Sequence, residues 1–275
     1  MSASETNVME AQAADFLAEC EALAGLLETF GHGNWERPTR FKQWTVNDVL
    51  VHLHFWNRAA DLSVFDPDGF DAIFASFSKA MQASGMRAHE NAEVAERGEE
   101  LFSTWRDYAH DMTGRWSGLD PKLRVKWAGP SMSVRSSISA RQMETWAHAQ
   151  EIFDLAGVER QDADRIRNVV MLGVNAYGWS FKVHGMEPPG AMPKVALTAP
   201  SGDVWTYGEG EGSITGSAAE FCQVVTQTRN IADTSLEVEG EAARAWMENA
   251  QCFAGPPETP PAPGTRGPRS RTSGK

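Results

Sequence analysis

Trp44-Thr45-Val46-Asn47-Asp48-Val49-Leu50-Val51-His52-Leu53 is the stretch on which the fold turns. Thr45 stands where an N-cap hydroxyl is wanted. Asp48, three residues on, can reach back to the N-cap amide, a capping box with Asp in place of the commoner Glu. The signal predicts a helix from Val46 to about Val64, ended by Asp66-Pro67-Asp68-Gly69. Val49, Leu53, Trp56 and Ala60 form its apolar arc at helical spacing. His52 and His54 flank that arc on opposite sides, and a helical wheel does not choose between them.

Working outward, helical periodicity recurs. Val8 to Phe30 carries Phe16, Leu17, Cys20, Leu23, Ala24 and Leu27 on one side and stops at Gly31 and Gly33. About Asp71–Ala83 reads as a third segment. Asn91–Trp116 reads as one long amphipathic helix with Leu101, Trp105, Ala109 and Met112 inward, and Val134–Ala156 as the last, with Gly157 as its C-cap. Four long helices predict a four-helix bundle over residues 1–160. Residues 161–253 then change character: a helix over Asp164–Val183, β-type runs at 194–198, 204–207, 213–215 and 236–239, and short helices at 217–228 and 241–251. Pro200-Ser201-Gly202-Asp203 reads as a hairpin turn between the first two runs. The expected class is α+β: a bundle followed by a small α+β domain. Residues 254–275, rich in Pro, Gly and Ser and without apolar periodicity, are expected to be a disordered tail.

Composition narrows the function. Of 275 residues, 41% are hydrophobic and 23% charged, enough for a folded core. No apolar run approaches the ~18 residues of a membrane span, and Met1–Glu10 has neither the basic residue nor the apolar run of a secretory signal. A net charge of -12 disfavours nucleic acid and anionic lipid as partners. Cys20, Cys222 and Cys252 are odd in number and widely spaced, without a CxxC, so neither a disulfide framework nor a zinc–thiolate cluster is expected. A reducing cytoplasm fits best, with the chain a monomer or weak homodimer.

Glu144-Thr145-Trp146-Ala147-His148 carries the candidate chemistry. Glu144 and His148 lie four apart on one helix face, where two donors can chelate one divalent ion. A third ligand must come from another helix, and either His52 or His54 could supply it. The competing reading is a solvated stripe in which Arg141 and Glu144 pair on the surface.

The quoted stretch resembles the helix-two signature W-[ST]-[VP]-x-[DE]-[VL]-[LV]-x-H-[LV] of the DinB-like bundle superfamily. Within it, the chain is most similar to the mycothiol-dependent maleylpyruvate isomerase group, which pairs that histidine with a Glu-x-x-x-His on helix four. The resemblance extends to Val195-Ala196-Leu197-Thr198-Ala199-Pro200-Ser201-Gly202-Asp203-Val204-Trp205-Thr206 and to Leu236-Glu237-Val238-Glu239-Gly240, and covers roughly residues 8–253. It implies His52, Glu144 and His148 as ligands of a divalent metal, with zinc the expected ion, and leaves His54 as a helix-flank residue. It implies mycothiol as thiol cosubstrate and an actinobacterial source. In the resembled isomerase the thiol adds to a conjugated cis double bond, the bond rotates, and elimination gives the trans isomer.

The group's cationic clamp, an arginine of the second domain, falls on Arg229 here, with Arg58 and Arg141 as alternatives. Asp48 could orient His52, and Trp56 and Trp146 could wall the pocket. The expected function is thiol-dependent isomerisation or S-transfer on a small, electrophilic, anionic substrate. A non-enzymatic metal-binding or stress protein is the alternative, and a carrier of an apolar ligand in the second domain is a third reading.

Overall fold

A computed structural model of the protein describes residues 3–83 and 85–267. The chain divides into two compact units, Met1–Ala149 and Gln150–Lys275, where the sequence placed the boundary near residue 160. None of its described helices is long and apolar enough to cross a membrane.

The first unit is built on helices α1 (Ala3–Leu27), α2 (Val46–Phe65), α3 (Pro67–Ala83), α4 (Met86–Glu93) and α5 (Gly98–Trp116). It continues through a two-stranded ribbon, β1 (Arg124–Val125) against β2 (Met132–Ser133), into α6 (Val134–Ala156). The capping box forms as read: Asp48 N–H donates to Thr45 Oγ1 at 3.1 Å, and Thr45 N–H donates to Asp48 Oδ2 at 2.8 Å. α2 is buried at 14 of its 20 residues, because α3, α4 and α5 all pack on it while α5 also packs on α1. A helix enclosed on most sides must be apolar on most sides, as Val49, Leu50, Val51 and Leu53 make it. Trp105, Trp116 and Trp146 are fully buried in this core with Phe16, Leu23 and Leu27. Asp61 of α2 ties it to α5 by accepting from Tyr108 Oη at 3.0 Å, Arg115 Nη2 at 2.8 Å and Trp116 Nε1 at 2.9 Å.

One expectation fails here. The helix read as Asn91–Trp116 is two helices, broken at residues 94–97. Arg97 turns back over the break, its Nη1 donating to the carbonyls of Val94 and Glu96 and its Nη2 to Asn91 Oδ1. Gly98 follows with φ +60°, and its N–H is taken by Asn47 Oδ1 at 2.8 Å. The guanidinium donors of Arg97 and the acceptor oxygen of Asn47 thus replace the helical ladder across the break. The result is a separate short helix, α4, that carries Glu90.

The second unit holds α7 (Arg167–Asn175), α8 (Tyr177–Lys182), β3 (Pro193–Thr198), β4 (Val204–Tyr207), β5 (Gly210–Ser217), α9 (Ala218–Val225), β6 (Glu237–Glu239) and α10 (Glu241–Asn249). The helix expected over 164–183 is broken at Ala176. The sheet runs β4-β3-β5-β6, with β3–β4 the expected hairpin and β3–β5 parallel. Val195, Leu197 and Ile214 are buried where α9 and α10 lie on β5. Gly173 lets α7 approach α9, since a Cβ there would stand 2.9 Å from Val225 Cγ2.

The expectation of disorder from residue 254 is corrected for residues 254–267. Prolines cannot donate, but their carbonyls still accept, and amide side chains hold this segment through them. Gln251 Nε2 donates to Pro256 O at 3.1 Å and Asn230 Nδ2 to Pro261 O at 2.8 Å. Gln227 Nε2 reaches Glu258 O at 3.0 Å, and Arg266 Nη1 pairs with the buried Glu151. Residues 268–275 lie outside the described part.

Candidate metal centre

His52, Glu144 and His148 come together in the first unit, each offering one ligand atom within 4.8 Å of the others. Glu144 Oε2 lies 3.5 Å from His52 Nε2 and 3.4 Å from His148 Nε2. α6 brings Glu144 and His148 to one face, and α2 presents His52 to them. The rings are fixed by aromatic neighbours. Trp44 stacks on His148 with centroids 5.7 Å apart and planes 1° from parallel, and Phe41 meets the same ring edge-on at 5.2 Å. Trp44 is set there by a turn in which Lys42 and Gln43, neither a glycine, both have positive φ (47° and 58°), a conformation uncommon for such residues.

His52 is clasped from both ends. Its Nδ1 lies 3.0 Å from Glu90 Oε1, and that same oxygen accepts from Trp56 Nε1 at 2.7 Å. Glu90 is 1% exposed. Sequence reading missed it, because α4 was not seen as a separate helix. Asp48, which could have oriented His52, keeps the capping role read for it: it caps α2 and accepts from Asn91 Nδ2 at 2.8 Å. The resulting chain of ligand, imidazole and buried carboxylate is the arrangement that fixes tautomer and ring orientation at metal-binding histidines.

The electrostatics fit a cation. Burial works against charge on His52, but the Glu90 and Glu144 carboxylates outweigh it and raise the imidazole to about 9. Burial likewise pushes Glu144 up, but hydrogen bonds from His148 and His52 and the charge of Arg141 hold it well below the usual carboxylate range. Burial lowers His148 and keeps it neutral, with the charge of His52 adding to the effect. One proton therefore occupies the place a dication would take. We expect zinc binding near pH ~7.5 to release about one proton per chain, and apparent affinity to rise about tenfold per pH unit up to about 9. Calorimetry in two buffers of different ionisation enthalpy measures this. Release of no proton, or of two, would contradict the assignment of charge.

Among the other residues read from the sequence, His54 stands apart from the cluster. It packs edge-on to Tyr108 at 5.3 Å, and burial, with Arg58 nearby, lowers it to about 4. Trp146 is core. Arg229, in the second unit, has both terminal nitrogens engaged there: Nη2 donates to Asp154 Oδ1 at 2.7 Å and Nη1 to Thr228 O at 2.8 Å.

Residues 16–153 match the family model of the mycothiol maleylpyruvate isomerase N-terminal domain. Two uncharacterized proteins of Mycobacterium tuberculosis, from strains CDC 1551 and H37Rv, are each 34% identical over 247 residues, covering 89% of this chain and 95% of theirs. Crystal structures of the mycothiol-dependent maleylpyruvate isomerase and of a point mutant of it superpose with TM-scores of 0.52 and 0.50. Each covers 78% of this chain and 88% of its own, at 12% and 14% identity, a likeness of fold. By its N-terminal domain, matched over half of its length, the chain belongs to the mycothiol maleylpyruvate isomerase family.

Proposed function

We propose that the protein is a cytoplasmic enzyme that holds a divalent ion, zinc, on His52, Glu144 and His148. With it, the protein activates a low-molecular-weight thiol, mycothiol, for isomerisation or S-transfer on a small electrophilic substrate. The convergence of the three donor atoms within 4.8 Å is the observation that carries this reading. Two neutral imidazoles and one carboxylate leave a divalent ion with residual positive charge and an open position, which lowers the pKa of a thiol brought to it.

The chain's own residues prepare that position. Glu144 stays ionised at neutral pH, so it offers a charged donor without first losing a proton. Glu90 accepts from His52 Nδ1 and leaves Nε2 as the donor atom. Trp44 and Phe41 pin His148 and exclude water from its flanks. This reading calls on no protein thiol: Cys20 and Cys222 are buried and Cys252 is half-buried, and burial pushes the Cys20 thiol far up.

Glu90→Gln keeps an acceptor oxygen and removes the charge, so zinc affinity should fall by about 10–100-fold, read by competition with a chromogenic chelator. Unchanged affinity would remove Glu90 from the centre. The function itself is tested by metal analysis of the purified protein followed by turnover assays with mycothiol, with glutathione and without thiol. Bound zinc with no thiol-dependent turnover of any unsaturated acid would favour the non-enzymatic metal-binding alternative.

A further inference from the structure

The three donor side chains are largely closed off. Those of His52 and His148 are 8% and 12% exposed, and that of Glu144 is 21% exposed. A thiol reaches them only if a covering group moves. One cover is the turn that carries Phe41 and Trp44. It is fixed by the Thr39 N–H to Trp44 O bond at 2.7 Å and the Trp44 N–H to Phe41 O bond at 2.8 Å, and moving it would release the ring of His148. A second cover is formed by Trp56, whose ring lies 6.4 Å from that of His52, and Arg141, whose Nη2 stands 3.9 Å from Glu144 Oε1. Trp127, in the connection between β1 and β2, packs on both, 5.5 Å from the Trp56 ring and 5.0 Å from Arg141 Cζ.

The stem and the tip of that ribbon are held differently. The stem is fixed: Val125 is buried, and Val134 N–H donates to Leu123 O at 2.8 Å. The tip, residues 126–131, is exposed at every residue except Trp127, which is half-buried. Arg124 Nη2 donates to Ser131 Oγ at 2.9 Å and closes the tip on its own stem. Lys126 pairs with Asp71 of α3, but both side chains are exposed and such pairs contribute little. Trp127 is the tip residue turned into the fold, and it also stacks on Phe70 at 6.0 Å. What it covers favours its departure. Arg141 Nε and Nη1 are buried and meet no acceptor, an unfavourable state for a guanidinium. Lifting Trp127 loses aromatic and cation–π contacts but lets water reach those donors. Opposed changes of this kind keep two positions of one element close in free energy.

We propose that residues 126–131 form a lid over the metal centre, latched by Trp127, that lifts to admit the thiol and closes to shut out water. This rests on the proposed function and adds the regulation of its site: the rate of access is set by the departure of Trp127.

Two measurements on the full-length protein test it. In protein labelled with fluorotryptophan, the Trp127 fluorine signal, assigned by its loss in Trp127→Phe, should show exchange on the microsecond-to-millisecond timescale of lids. The signal of Trp105, fully buried in the core, should not. The second measurement is the kinetics of zinc uptake and of zinc removal by a chelator. A lid gates both directions, so Trp127→Ala should raise both rates about tenfold and leave the zinc Kd within about twofold, since an ion bound alike in either lid position shifts neither. Trp127→Phe should fall between. Lys126→Ala, which removes only the exposed ion pair, should raise both rates about twofold, and it decides the matter if Trp127→Ala does not fold. A Trp127 signal without exchange, or unchanged rates in the folded variants, would overturn the lid. So would faster removal with a matching loss of affinity, which would make Trp127 a support of the ligands. If the purified protein takes up no zinc, the metal reading fails by itself, and the fluorine signal of the metal-free protein still decides the lid.

Discussion

On the proposed ligand set, His148→Ala should abolish metal binding. Wild type, purified and dialysed against a weak chelator, should retain close to one zinc per chain. The variant should fall to background, a loss larger than the ~10–100-fold that removal of an outer partner costs. With His148 gone, a divalent ion has two protein donors, His52 and Glu144, and the pair at i,i+4 that chelates from α6 is broken. The ring also fills the space between Trp44 and Phe41, so His148→Gln, which keeps bulk and polarity, is the control for folding. Elemental analysis that still finds tightly bound zinc in either variant would refute the assignment.

Asp154→Ala should strongly destabilise the second unit. The Arg229–Asp154 pair is 2.7 Å long with both side chains more than nine-tenths buried. Asp154 Oδ1 also accepts from Gln150 Nε2 at 3.1 Å. Removing the carboxylate takes away the hydrogen-bonded partner of a buried guanidinium, leaving it the Thr228 carbonyl and the more distant charge of Glu151, and breaking a buried pair in this way costs about 3–5 kcal/mol. Replacing both partners with apolar residues, Asp154→Leu with Arg229→Met, should recover most of that loss, because the penalty belongs to the stranded charge. Urea unfolding of the single and double variants measures the difference. A loss in Asp154→Ala below about 1 kcal/mol would mean the pair behaves as an exposed one.

The candidate centre was legible only in part. The spacing of Glu144 and His148 allowed chelation and equally a solvated surface pair, and the resemblance of the stretch from Trp44 to Leu53, not the spacing, selected His52 over His54. Glu90 was hidden for a physical reason. Apolar periodicity runs on past residue 94, and nothing in it reveals that Arg97 will trade helical bonds for side-chain ones. The pair Arg97-Gly98 was the available signal, a glycine inside a presumed helix. Arg141 was visible as a residue but not as a buried one, because its burial depends on Trp127 in a connection that the sequence marks only as a loop. The tail misled in the opposite sense. Its composition argues for disorder, yet over residues 254–267 its carbonyls are met by the amides of Gln227 and Asn230, about thirty residues upstream, and of nearby Gln251.

α6 runs from Val134 to Ala156, and the division between the two units falls inside it, after Ala149. That sets a rule for dissecting the protein. A fragment ended at Ala149 would put His148 on the last, fraying turn of a helix, where carbonyls have lost their partners. It would bind metal poorly for reasons unrelated to its ligands. A fragment carried to Gly157, where positive φ (68°) and the Val158 N–H to Phe153 O bond end the helix, keeps two further turns beyond the histidine and is the shortest piece in which metal binding is fairly judged.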